Sequence, residues 1–360
     1  MRTAILLVAT LAFVAGTVLA FVNREHKSPP KTIHAMHDME MSPAGISMNK
    51  PQDSMSSSAI ARYRSRIQKV GAPAAYEEFG KEVAQLTPSF QHRQAHLFGA
   101  ALYDEMGNAG FPVCGSLFSY GCAHALVSLA IGKEGVSALA VFADECRKTV
   151  WPPMCLHGIG HGLVRAIGYE ERDVRKAIDL CINEVGDTST PGCIGGAVME
   201  YDGQSMMGDV WAGRTMDGNN TFEPCASAPS SAKSACYLWL VSWWYDNYSS
   251  YGGMNPPDAF AQMGMLCEGI PNREYMAQCL AGVGEMAASV ANYDGKNVLA
   301  LCKASSKDPL SRMYCLGFGA NMLLETSSGE TDLETLCGSV EEGNYDRCRY
   351  LARQGVSIFD

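Results

Sequence analysis

A chain of 360 residues is long enough to bury a large core, and 47% hydrophobic with 18% charged residues is the composition of a folded protein. The net charge of -10 excludes nucleic acid as the main partner, because no cluster of Lys and Arg offsets the repulsion from phosphates.

In chain order the first feature is "MRTAILLVATLAFVAGTVLAFVNREHK", with one arginine before an uncharged apolar run from Thr3 to Val22, and Arg24 and Lys27 after it. Residues 1–23 read as a signal peptide, with Val18 and Ala20 as a small-residue cleavage pattern. They also suit an uncleaved N-terminal membrane anchor, since the run is about 20 residues long. No later segment reads as a span. The remainder is expected to be exported, to a periplasm or the extracellular space.

Residues 24–58 carry "TIHAMHDMEMSPAGISMNKPQDSMSSS", whose Ser, Pro and Gly content and lack of apolar periodicity read as a flexible linker. Into it are set His34, Met36, His37, Met39, Met41, Met48 and Met55. A solvated linker has little structural use for so many methionines. Thioether sulfur selects Cu(I), imidazole binds both copper oxidation states, and neither is lost to disulfide formation in an oxidising space. "HAMHDMEM" resembles the Met/His-rich tracts of extracytoplasmic copper-handling proteins. The bland alternative is compositional bias in a tolerant linker.

From residue 59 to 360 the chain is organised by its fourteen cysteines. They fall into seven close pairs: Cys114 with Cys122, Cys146 with Cys155, Cys181 with Cys193, Cys225 with Cys236, Cys267 with Cys279, Cys302 with Cys315, and Cys337 with Cys348. Separations within pairs run from 8 to 13 residues, and gaps between pairs from 22 to 32. An even count paired in this way predicts local disulfides in an oxidising compartment. Zinc is the competing reading, and the absence of any C-x-x-C weighs against it.

The second cysteine of each pair recurs every 33 to 43 residues, a period of helical-hairpin arrays. Before each first cysteine lies an amphipathic stretch, as in "VSALAVFADEC" and "ERDVRKAIDLC", and after each second one an apolar, small-residue helix start, as in "CIGGAVMEY" and "CLAGVGEMA". Each repeat therefore reads as helix, Cys, short loop, Cys, helix. "APAAYEEFGKEVAQL" and "SFQHRQAHLFGAALYDEMG" read as one further hairpin without cysteines, in a capping position. The expected fold is all-α, a solenoid or closed ring of about seven disulfide-bridged helical hairpins plus this N-terminal one. In layout, from about Ala72 to Asp360, it resembles the disulfide-bridged Sel-like repeats, relatives of the tetratricopeptide repeats. That resemblance implies a scaffold that binds a protein partner on the solenoid face.

One stretch departs from its counterparts. "CLHGIGHGLV", Cys155 to Val164, sets His157 and His161 four residues apart among glycines. Glycines recur at similar places in other repeats, as Gly195, Gly196, Gly282, Gly284, Gly317 and Gly319, so Gly158 and Gly160 are expected to serve helix packing. The histidines do not recur in the later repeats. His157 stands two residues after its cysteine, His124 holds the same offset one repeat earlier, and His96 is assigned that place in the cysteine-free hairpin. His161 lies one turn beyond His157 on the same helix face. His96, His124, His157 and His161 are therefore expected to converge on one centre suited to a transition metal ion, copper first, with zinc or iron as alternatives. The competing reading is four separate, satisfied polar residues. Because imidazole must be neutral to bind, the site is expected to weaken as pH falls through about 6.5.

"HGIGH" is not the metalloprotease motif, since Gly158 stands where the general-base Glu would be. Glu285 and Glu200 hold nearby offsets in their own repeats and read as surface carboxylates, able to face the histidines only if the array closes into a ring. The aromatic run from Cys236 to Gly253 reads as solenoid core in preference to a ligand groove. The function these features favour is that of an extracytoplasmic transition-metal-binding protein, most simply one that handles copper, with a flexible Met/His tail and a folded histidine site. A protein-binding scaffold is the alternative from another class, and a metal-dependent enzyme using the same histidines is a third.

Overall fold

The computed structural model describes residues 51–202, 215–324, 326 and 328–355. The predicted ligands His34, Met36, His37, Met39 and Met41 lie outside the described residues. The linker reading extends too far: a helix, α1 (Pro51–Val70), begins within residues 24–58 and buries Tyr63 and Ile67 against the first hairpin.

After α1 come α2 (Ala72–Val83), α3 (Pro88–Met106), α4 (Gly121–Glu134), α5 (Leu139–Arg147), α6 (Pro152–Ile167), α7 (Glu171–Leu180) and α8 (Cys193–Asp202). The array continues with α9 (Ser230–Tyr245), α10 (Pro256–Glu268), α11 (Arg273–Val290), α12 (Gly295–Ser305), α13 (Pro309–Leu323), α14 (Gly329–Cys337) and α15 (Tyr345–Gln354). Among the described residues there is no strand. Local chemistry places the helix starts. Proline occupies the first turn of α2, α3, α6, α10 and α13, where its missing N–H costs nothing. Asn255, Asn272, Asp294 and Asp308 cap α10 to α13 with side-chain oxygens.

The helices form two rows. The inner row stacks α3, α4, α6, α8, α9, α11, α13 and α15, each against the next. Sandwiched between neighbours, the interior members of the row are buried nearly all round, and in α4 every residue from Gly121 to Ser128 is buried, whereas the terminal α15 buries only Cys348, Leu351 and Ala352. Outer helices bury only a stripe, as α7 does with Val174, Ala177 and Ile178. The depth of α4 also corrects the expectation that nothing after residue 23 is apolar enough to span a membrane. Residues 121–147 pass that test by length and composition. The run is broken at Gly135 (φ 74°), however, and half of its most apolar window is packed inside the fold.

The seven predicted cysteine pairs are the seven disulfides, with no cysteine left free and Cα–Cα distances from 5.2 to 5.6 Å. Cys114 is bonded to Cys122, Cys146 to Cys155, Cys181 to Cys193 and Cys225 to Cys236. Further along, Cys267 is bonded to Cys279, Cys302 to Cys315 and Cys337 to Cys348. Each bridge ties the end of an outer helix or the connection after it to an inner helix: Cys146, Cys267, Cys302 and Cys337 lie in α5, α10, α12 and α14, while Cys279 lies in the second turn of α11 and Cys348 in the first turn of α15, both fully buried. Closing loops of this length contributes about 2.5–3 kcal/mol apiece in the chain-entropy model. So dense a set of bridges marks a chain that matures in an oxidising, extracytoplasmic environment. The aromatic run is core: Trp243 and Trp244 are buried, and Trp244 Nε1 donates to the Thr221 carbonyl at 2.8 Å. The array also curls back on itself, because Ser89 at the start of α3 is hydrogen-bonded to Tyr293 Oη, beyond α11, at 2.8 Å.

Candidate metal centre

Close packing of the inner row depends on glycine. A Cβ on Gly160 would lie 2.0 Å from the Cys193 carbonyl oxygen, one on Gly196 1.9 Å from that of His157, and one on Gly158 2.8 Å from the Cα of His124. These glycines therefore let α4, α6 and α8 approach backbone to backbone, which brings side chains at one offset into contact. Equivalent contacts fix the register of the cysteine-free hairpin. Gly99 meets the Cys122 carbonyl as Gly160 meets that of Cys193, which sets His96 in line with His124 and His157.

The predicted histidines come together, and a fifth, His92, joins them. The rings form a continuous row: His92 to His96 at 4.5 Å between centroids, His92 to His124 at 5.3 Å, His96 to His124 at 5.6 Å, His124 to His157 at 5.2 Å and His157 to His161 at 4.8 Å. His96, His124, His157 and His161 are 1–3% exposed, whereas His92 is partly exposed at the edge of the row. Trp239, placed in the aromatic core run by sequence, packs against His157 at 5.4 Å.

Four of the five rings are held by one nitrogen on a carbonyl or carboxylate. His92 Nδ1 donates to the Phe118 carbonyl at 2.7 Å, His124 Nε2 to that of Met154, and His157 Nδ1 to that of Pro191 at 3.0 Å. His161 Nδ1 donates to Glu200 Oε2 at 2.9 Å. In a neutral imidazole the other nitrogen then carries the lone pair. His124 Nδ1 and His161 Nε2 are buried and have no hydrogen-bond partner. His96 Nε2 stands 3.0 Å from His92 Nε2, and His92, His96 and His124 each offer one donor within 4.8 Å of the others. Two nitrogens on one tetrahedral ion, each about 2.0–2.1 Å from it, are separated by about 3.4 Å, so these three would draw closer together to share one ion.

Glu200 corrects the expectation of a surface carboxylate. It is buried on α8, directly across from α6, and needs no ring closure to reach the histidines. Its Oε1 accepts from Tyr169 Oη at 2.6 Å and lies 3.9 Å from the Arg165 guanidinium. Glu285 is only partly exposed, and desolvation pushes its carboxyl up to about 7.

Burial is the first cause that lowers the affinity of His92, His96, His124 and His157 for protons, and repulsion between neighbouring rings adds to it. His96, His124 and His157 are held well below the ordinary histidine value of 6.5. The loss of neutral donors expected at about pH 6.5 is thereby moved to lower pH. Such a row offers uncharged, oriented nitrogen donors in a dry interior, which is the donor set imidazole-preferring metals take. No protein-family model, curated protein or solved structure matches the chain.

Proposed function

We propose that this is an extracytoplasmic transition-metal-binding protein whose folded site is the histidine row, with copper as its metal and the Met/His segment of residues 34–55 as a second, weaker class of site. The observation that carries the reading is the tautomer pattern. Four of five adjacent imidazoles anchor one nitrogen on a carbonyl or carboxylate, and two of the opposite nitrogens are buried with no partner. Burying an unsatisfied polar atom costs about 1–3 kcal/mol, and an ion shared among the rings would remove that cost. Imidazole serves copper, zinc and iron; the thioether-rich tail favours copper.

An enzymatic use of the same histidines finds no free base in Glu200. Both oxygens of Glu200 accept hydrogen bonds, from His161 and Tyr169, and the carboxylate stands behind His161. A protein-binding role has its own support in exposed apolar residues on the hairpin turns beside the row: Leu117, Val150 and Trp151. Elemental analysis of protein purified from copper-supplemented cells decides for metal. A stoichiometric content that falls in a His124→Leu/His157→Leu variant is expected. Copper content unchanged by that variant would overturn the folded site, and partner capture surviving loss of all five histidines would favour the scaffold.

A further inference from the structure

The row contains more donors than one ion takes. A four-coordinate ion gathering His92, His96 and His124 has at most one position left. His157 and His161 stand outside that three-histidine group, one turn apart on α6, with each Nδ1 already committed to an acceptor. Both therefore present Nε2 as the lone-pair nitrogen. That of His161 is fully buried and unpartnered, and an i,i+4 pair of imidazoles is a ready two-donor platform.

The two ends of the row are also backed differently. His92 and His124 lean on neutral backbone carbonyls. His161 leans on the carboxylate of Glu200, itself fixed by Tyr169 and Arg165. A carboxylate behind a ligating histidine fixes its tautomer, raises its basicity and supplies negative charge where a cation would be buried.

We propose that the row holds two ions, the second between His157 Nε2 and His161 Nε2, with Glu200 as the residue that positions His161 for it. The inference rests on the metal-binding reading of the row. An ion about 2 Å from each Nε2 lies about 3.2 Å from each ring centroid, and the centroids are 4.8 Å apart, which sets a bent angle close to the tetrahedral one and leaves positions on the ion for further ligands. Both rings are held by helix α6 and their acceptors, so little ordering remains to be lost on binding.

The test is a Cu(I) titration of the full chain against a chromophoric chelator, comparing variants so that sites in the N-terminal segment cancel. A His157→Ala/His161→Ala variant is expected to bind one ion fewer than the unmodified chain, and a His92→Ala/His96→Ala variant also one fewer. Glu200→Leu should weaken the second ion about 10- to 100-fold and leave the first unchanged, whereas Glu200→Gln, which keeps an acceptor for His161 Nδ1, should restore most of the affinity. If the alanine variants do not fold, His161→Gln answers the same question with a side chain that preserves volume. Loss of copper in the variant lacking His92 and His96, with none in the variant lacking His157 and His161, would overturn the second position and leave the metal reading intact. Copper content unchanged in every variant would overturn both. A Glu200→Leu effect shared equally by the two ions would reduce Glu200 to a structural residue and end its positioning role.

Discussion

The first three inner helices and the later ones share one architecture and fill one position differently. Two residues after the cysteine, or at the register equivalent in α3, stand His96, His124 and His157; at the same offset later stand Gly195, Leu238, Ala281 and Gly317, all buried, and in the terminal α15 Tyr350, which is exposed. The glycine contacts show that the geometry is the same. Gly196 packs on the His157 carbonyl oxygen as Gly282 packs on that of Leu238. Packing at this offset is therefore satisfied by small or apolar side chains, and nothing in the repeat asks for imidazole. The later repeats act as an internal control, and the histidines of the earlier ones need a reason beyond the fold.

Making the early repeats resemble the late ones is the strongest test of that contrast. His124→Leu with His157→Leu, copying Leu238, should lower Cu(I) affinity of the folded site by more than about 100-fold, beyond the losses seen when only outer-shell groups are removed. The melting temperature of the metal-free chain should hold or rise. A large loss of thermal stability instead would make the histidines part of the core's own design.

Acid separates the two regions next. The folded chain keeps His92, His96, His124 and His157 neutral, while an unfolded chain protonates them below about pH 6.5, so the unfolded state binds more protons and stability falls with pH. As pH falls below about 6.5 the loss of stability is expected to come mostly from His96, His124 and His157, the most strongly depressed of the four. Denaturant titrations across this window should show the slope flatten in the His124→Leu/His157→Leu variant.

Glycine substitutions sharpen the claim of common geometry. A Cβ at Gly160 would lie 2.0 Å from the Cys193 carbonyl oxygen, and at Gly284 2.2 Å from that of Cys315. Alanine at either position should cost about 1–3 kcal/mol in chemical denaturation. Only Gly160→Ala should also weaken copper binding, because only there does a shift of the helix displace histidines.

The smallest effect belongs to Glu285, which occupies on α11 the offset that His161 occupies on α6. With its carboxyl raised to about 7, the folded chain retains a proton that an unfolded chain releases above about 4.5, so stability falls as pH rises between these values. Glu285→Gln should stabilise the protein at pH 8 by about 1–2 kcal/mol, the value being reduced for partial exposure, and should change nothing at pH 4. Equal effects at both values would show that the carboxyl titrates as it does in water.

The repeat, its bridges and the convergence of four histidines are legible in the sequence because each follows from spacing along one chain. His92 is legible by another signal, since "HRQAH" repeats the H-x-x-x-H spacing of "HGIGH", but it falls before the shared offset that singles out the others. Glu200 is not. Its meeting with His161 depends on how far α8 slides along α6, which the backbone contacts of Gly160 and Gly196 decide. The extent of α1 is obscured by the serines at its start, although Tyr63 and Ile67 show helical spacing. The depressed proton affinities follow from enclosure, which no single sequence position records.

The order of the disulfides bears on how the chain reaches its folded state. Fourteen cysteines can be joined in about 135,000 ways, and the native set is the one in which each cysteine pairs with its neighbour in sequence. A chain emerging N-terminus first into an oxidising space presents each partner 8 to 13 residues after the last, before the next pair arrives. An oxidase acting on cysteines as they appear in this order would assemble the native pattern vectorially, with little demand on disulfide isomerisation.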